Sequence, residues 1–408
     1  MVPARIALDD MERLPIGPVL AVTTATQSLT TLGSVALAAV APEVALALGV
    51  SPALIGYQVG VLYVGAMLSA LVGGGLARRL GATRTSQLAL WLVCAGCLVS
   101  ALGTLPALAA GAVVMGLGYG ITNPAASQLL ARAPTRRNMN LIFSIKQCGV
   151  PIGGVLSGAI VPALALAFGW QASLVGCALL LIGLSLAIGR VRRDWDTDRD
   201  PAAPVMAAPL ASLALVWRHG ALRWLSFASF AYSAVQLSLT GFLVTYLVAE
   251  VQLSLLLAGT ILALTHAAGA AGRLAWGWLA DRMRSGTAAL IANGTVAVGG
   301  AVATAAIMAG WPVWAIAAAT SIFGFSAIGW NGVYMAVIAR QSAPHEVGIA
   351  TGGSLSITFA GVIVGPSAFA ALHDQAGLSY GAGYALLALV TALGVACIVR
   401  SRRLGSRK

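Results

Sequence analysis

Twelve apolar runs, each long enough to cross a bilayer, succeed one another along this chain and leave little else to fold. They fall at about 18–40, 53–77, 87–105, 107–131, 140–165, 170–189, 222–248, 255–280, 287–309, 312–339, 349–372 and 380–400. A spanning helix needs about 20 apolar residues. In hydrocarbon every backbone N–H and C=O must be satisfied within the protein, which leaves helices or a closed barrel. The short alternating segments of a barrel are absent. The expected fold class is therefore all-α integral membrane, with twelve transmembrane helices in two six-helix bundles.

The runs divide at a polar break. Residues 190–221 carry Arg190, Arg192, Arg193, four aspartates and three prolines, and read as a solvated linker. The expected plan is a tail over 1–17, a six-helix bundle over 18–189, the linker 190–221, a second bundle over 222–400 and a basic tail over 401–408. Arg78, Arg79, Arg84, Arg132, Arg136, Arg137, Arg282, Arg284 and Arg340 fall in loops on one side, with the linker and the last tail. The loops of the other side, near Glu43, Thr104, Gly169, Glu250, Gly310 and Asp374, hold no lysine or arginine. This asymmetry is the positive-inside pattern, so both termini are expected in the cytoplasm of a bacterial inner membrane. It also explains the net charge of +12 without nucleic acid as a partner. Only 9% of the residues are charged, against about 25% in soluble domains.

Within so apolar a chain, a deep charge is the informative exception. His266, Gly269, Arg273 and Gly277 recur at helical spacing and share one face. If Asp281 marks the membrane edge, Arg273 lies about 12 Å deeper at 1.5 Å per residue, near the middle of the hydrocarbon. Arginine there is costly and faces a bundle interior, a cavity or a ligand. Lys146 is the other deep cation, roughly 10 Å from the end of its span. Every Asp and Glu of the chain lies in a tail, a loop or a helix end, so no carboxylate is expected to neutralise either cation. Two readings stand for both: they bind an anion, or they snorkel or bond backbone carbonyls.

Two stretches repeat between the halves. Gly74-Gly75-Leu76-Ala77-Arg78-Arg79-Leu80-Gly81-Ala82-Thr83-Arg84 closes the second run, and Gly277-Trp278-Leu279-Ala280-Asp281-Arg282 closes the eighth. Asn123 precedes Arg132 by nine residues, as Asn331 precedes Arg340. Both stretches resemble the Gly-x-Leu-Ala-Asp-Arg loop motif of the major facilitator superfamily, and Gly149-Val150-Pro151-Ile152-Gly153-Gly154 resembles its glycine-proline motif. The resemblance covers essentially the whole chain and implies secondary transport by alternating access of the halves. It makes Gly75, Arg79, Gly81, Arg84, Gly277, Asp281, Arg282 and Pro151 conformational residues. Arg78 stands where the motif has aspartate, so a resting state open to the cytoplasm is expected. The resemblance also sets the fifth and eighth helices against each other, placing Lys146 and Arg273 at similar depth. An arginine so placed resembles the carboxylate-binding residue of oxalate:formate antiporters and related monocarboxylate porters. The stretches around Lys146 and Trp330 resemble bacterial permeases grouped with cyanate porters.

The substrate-binding set expected from these arguments is Arg273, Lys146, Asn331, Asn123, Tyr119, Tyr334 and His266, with Ser127, Tyr63 and Gln236 as weaker candidates. Interhelical hydrogen bonding is the other reading for each neutral polar residue. His266 either carries a proton or is bonded between helices. No catalytic constellation, cofactor or metal is expected: Cys94 and Cys97 lack a second pair and a histidine nearby. No P-loop occurs. The expected function is a monomeric secondary transporter of a small organic anion, a monocarboxylate or similar acid, by proton symport or anion exchange. The alternative is a proton-coupled drug or metabolite exporter.

Overall fold

The computed structural model describes residues 14–50, 52–132, 138–205 and 211–405. Most of the expected N-terminal tail, Arg136, Arg137 and the end of the basic tail therefore lie outside the described residues. The first half contains α1 (Ile16–Ala39), α2 (Ala41–Leu48), α3 (Pro52–Leu80), α4 (Ala82–Ser100), α5 (Leu105–Ala131), α6 (Met139–Gln147), α7 (Gly149–Phe168) and α8 (Trp170–Ile188). The linker holds α9 (Arg192–Trp195) and α10 (Ala211–Arg218). The second half contains α11 (Gly220–Ala249), α12 (Leu255–Arg282), α13 (Gly286–Ala305), α14 (Val313–Ala327), α15 (Asn331–Gln341), α16 (Val347–Asp374) and α17 (Tyr380–Gly405).

Two of the expected spans are broken rods. α6 and α7 meet at Cys148, three residues before Pro151, and α14 and α15 meet around Gly329. Counting each broken rod once and α2 with α1, the described helices make six rods in each half, as expected from the apolar runs. Among the described residues, ten of the twelve rods are long and apolar enough to cross a membrane. α1 carries a stripe of threonines with Gln27, and α12 carries Arg273. These polar side chains are buried, Thr23, Thr26, Gln27, Thr30 and Thr31 on α1 and Arg273 on α12, so these faces point into the molecule.

Small residues set the packing. α3 lies along α5, and a Cβ at Gly116 would sit 2.1 Å from the Leu62 carbonyl oxygen, so only glycine allows that approach. Apolar side chains such as Leu46, Leu166, Phe168 and Trp314 point outward and remain exposed. In hydrocarbon such a surface needs no cover, and outward burial brings no gain.

The halves touch through α3 and α5 against α16, and through α6 against α12 and α15. These contacts lie toward the basic-loop ends. Gly74 faces the backbone of Gly348 and Ile349, Ser356 Oγ donates to the Met67 carbonyl at 2.7 Å, and Gly277 faces Ser144. The structure is thus closed on the basic side, whereas Arg78 led us to expect an open one. The reason is that Asp281 still bridges the halves, accepting from Asn140 N at 3.2 Å, Asn140 Nδ2 at 2.6 Å and Leu141 N at 2.8 Å.

Candidate functional site

Pro151 begins the site. Proline has no N–H, so in a helix the carbonyl four residues earlier loses its partner. That carbonyl belongs to Gln147, the last residue of α6. The Nη1 of Arg273 fills the vacancy from α12 across the interface, donating to the Gln147 oxygen at 2.6 Å. One motif residue therefore creates the acceptor that holds the deep arginine.

Arg273 is 3% exposed, and its Nε is buried without an acceptor. Among the described residues it forms no ion pair; the nearest acid along α12 is Asp281, two turns away and engaged with Asn140 and Leu141. A guanidinium carries five N–H donors and no acceptor. Most of that capacity is unspent.

The arginine lines a cavity of about 80 Å³ between the halves. Tyr63, Tyr119, Asn123, Gln147 and Val150 contribute from the first half; Gln236, Trp330, Asn331, Thr358 and Phe359 are among those from the second. Tyr63, Tyr119 and Phe359 form an aromatic cluster across the interface, with centroids 5.7 to 6.3 Å apart. The cavity thus combines an apolar wall, a few oriented polar groups and one cation, which is the usual composition of a small-molecule site.

Four of the expected binding residues, Arg273, Asn331, Asn123 and Tyr119, meet here, as do the weaker candidates Tyr63 and Gln236. Three others do not line it. Lys146, 2% exposed, donates from Nζ to Gln27 Oε1 at 2.8 Å, to Asn123 Oδ1 and to Gln147 Oε1 at 3.5 Å. An ammonium has three donors, and three amide oxygens receive them. Lys146 thus spends its donors on side-chain amides, a partner that neither expected reading named. Tyr334 is buried away from the cavity, its hydroxyl bonded to Ser354. His266 shares the α12 face but is exposed, outside the lining. Ser127 is buried and also outside it.

Sequence reasoning missed Gln27, Gln147, Trp330, Thr358 and Phe359. The signal for Gln147 was its place four residues before Pro151. Gln27 was marked by the run Thr23-Thr24-Ala25-Thr26-Gln27-Ser28, too polar to face lipid. Thr358 and Phe359 sit in an apolar span with no pattern to distinguish them.

The conformational residues of the two loop motifs occupy the basic ends. Gly75 lies against the Pro204 and Val205 carbonyls of the linker, and Gly81 takes φ of 100°, a left-handed conformation that glycine tolerates. Arg84 pairs with Asp196 at 3.2 Å, Arg79 is exposed, and Arg282 lies over Trp278 at 5.4 Å.

Comparison with known proteins agrees with this architecture. The family model described as Major Facilitator Superfamily matches residues 23–366, so the chain belongs to that superfamily of membrane transporters. A hexuronate transporter of Bacillus subtilis is 25% identical over 347 residues, covering 80% of this chain and 81% of its own. The crystal structure of the human organic anion transporter MFSD10 superposes with a TM-score of 0.77 at 17% identity, over 95% of this chain and 100% of that one. FucP in the outward conformation superposes with a TM-score of 0.74 at 16% identity, over 94% and 98%. At such identities the solved structures speak for the fold alone. It is a multi-pass membrane transporter, not an enzyme.

Proposed function

We propose that this transporter carries a small organic anion, a monocarboxylate or similar acid, whose carboxylate is clamped by Arg273. One observation carries the reading: a buried guanidinium borders a cavity with donors unspent and no carboxylate to pair with among the described residues. A buried cation without a counter-ion is expensive, and an anionic ligand offsets that cost on arrival. The names of two similar proteins, a hexuronate transporter and an organic anion transporter, support the same chemical class. Lys146 contributes long-range attraction rather than a direct contact, because its own hydrogens are taken by amide oxygens. The two halves, over 18–189 and 222–400, rock about the cavity to expose it in turn. The basic side is the cytoplasmic one by the distribution of arginine.

The test is a pair of substitutions read twice. Guanidinium offers a planar fork to a carboxylate, and ammonium does not. Arg273→Lys is expected to weaken anion binding by roughly 1–3 kcal/mol, the scale of a charge-assisted hydrogen bond. Arg273→Gln is expected to abolish it while the melting temperature holds or rises. A destabilised Arg273→Gln protein with unaltered affinity would show that the arginine only ties α12 to α6.

A further inference from the structure

The wall provided by Gln236, Trp330 and Asn331 has a fixed polarity. Trp330 is 1% exposed, with Tyr232 and Tyr334 packed edgewise on its ring at 5.6 and 5.3 Å, so the indole cannot turn. Its Nε1 donates to Gln236 Oε1 at 3.1 Å. An indole N–H is a donor only, so the Gln236 oxygen must face it and the amide cannot be flipped. The same oxygen accepts from Asn331 Nδ2 at 3.3 Å, which fixes the second amide as well. Both lone pairs of Oε1 are then filled. Among the described residues Gln236 Nε2 has no acceptor and Asn331 Oδ1 has no donor, and both residues are half-buried on the cavity.

One unspent donor and one unspent acceptor on adjoining amides suit a group that both gives and takes a hydrogen bond. A hydroxyl does both. A second carboxylate only accepts, and the Asn331 oxygen would repel it; a methyl group would leave both amides unsatisfied. We infer that Trp330, Gln236 and Asn331 read a hydroxyl group on the transported anion, making the substrate class a short hydroxy monocarboxylate. The inference rests on the Arg273 clamp proposed above. Size favours a short acid: pockets for drug-sized ligands run to about 300–1,000 Å³, and this cavity, at about 80 Å³, is far smaller. A three- or four-carbon acid suits that space better than a six-carbon sugar acid.

The experiment is titration calorimetry of the full-length protein in detergent with five probes: glycerate, propionate, malonate, glycerol and glucuronate. Glycerate is expected to bind at least about tenfold more tightly than propionate, with malonate, glycerol and glucuronate weaker still. Gln236→Met and Trp330→Phe, the second leaving both cavity amides in place but free to turn, are each expected to erase the preference by lowering glycerate affinity more than propionate affinity. Arg273→Gln is expected to lose both acids. Equal binding of propionate and glycerate by the natural protein, or tighter binding of malonate, overturns the hydroxyl reading and leaves the anion clamp standing. Tighter binding of glucuronate overturns the size assignment. Binding of glycerol but of no acid removes the clamp, and this inference with it.

Discussion

Gly74 on α3 and Gly277 on α12 occupy equivalent places in the two halves, and each seats the opposite half's helix near its N-terminus. A Cβ at Gly74 would lie 2.2 Å from Ile349 N in the first turn of α16. A Cβ at Gly277 would lie 2.3 Å from Ser144 Oγ on α6. Four residues further on, the copies part. Asp281 accepts from the N-terminal amides of α6, where a carboxylate meets the positive end of the helix. Arg78 holds the corresponding motif position on α3, its carbonyl accepts from Asp200 N of the linker at 2.8 Å, and the N-terminus of α16 has no side-chain cap. Steric fit therefore closes both contacts, and electrostatics reinforces only one. A pseudo-symmetric pair can lose half of its charged latch and still close on the basic side.

The largest effect should come from the steric element. Gly74→Ala sets a methyl group against backbone that has no rotamer to adopt. Overpacking of this kind costs about 1–3 kcal/mol, which shifts the closed-to-open ratio on the order of tenfold to a hundredfold. The readout is labelling of a single cysteine at Val150, with the five native cysteines replaced, by an impermeant reagent from each side. Gly277→Ala should do less, because the Ser144 hydroxyl can rotate away. An equal effect of the two would mean that the backbone of α6 is as tightly held as that of α16.

Asp281→Asn ranks next. Asparagine keeps one acceptor but loses the charge, weakening bonds to two backbone amides and the 3.5 Å contact with Arg340. A loss of about 1–2 kcal/mol is expected from charge-assisted bonds, or roughly tenfold toward the basic-side-open state. Unchanged labelling would show that the glycines alone close the interface.

Arg78→Asp restores the missing acid and should act in the opposite direction. A carboxylate beside a helix N-terminus is worth about 0.3–1 kcal/mol, so closure should strengthen by only a few-fold. Opening on this substitution would break the comparison, since it would mean that Arg78 itself holds α16.

How much of this was legible beforehand follows from the kind of physics each feature obeys. The rods were legible because hydrocarbon demands long apolar helices, and the superfamily because its glycines sit where backbones touch. Arg273 was legible because a deep charge in an apolar run has few explanations. The partners of Lys146 were not legible because its acceptors, Gln27 and Asn123, come from other helices. The aspartates of the linker read as solvated charge, yet Asp196 is buried at the start of α4 and Asp198 pairs with Arg132 at 2.7 Å. Both failures have one cause: a polar residue's partner across the fold leaves no mark in local spacing.

The smallest effect should come from Asp196→Asn, and it separates the linker from the latch. The Asp196 carboxylate accepts from Thr83 N at 2.7 Å, Arg84 N at 3.1 Å and Arg84 Nη1 at 3.2 Å. All three donors belong to the first half, so this carboxylate holds the linker to α4 and does not bridge the halves. Burial pushes its carboxyl above the ordinary range, and that cause outweighs the lowering by the Thr83 amide and Arg84. The sign follows: the folded protein keeps this proton to higher pH than the unfolded chain does. Its contribution to stability is full below the ordinary pKa of about 3.9 and is lost as pH rises through the raised folded value. Asparagine does not titrate. The melting temperature of the natural protein relative to Asp196→Asn should therefore fall as pH is raised from about 3.5 through that window, then level off. At neutral pH the two should differ by no more than about 1 kcal/mol, because lost charge-assisted bonds oppose a relieved desolvation cost. Labelling from the two sides should match that of the natural protein. If Asp196→Asn instead opens the basic side as Asp281→Asn does, the linker aspartate has taken over the role that Arg78 vacated, and the two halves are latched alike after all.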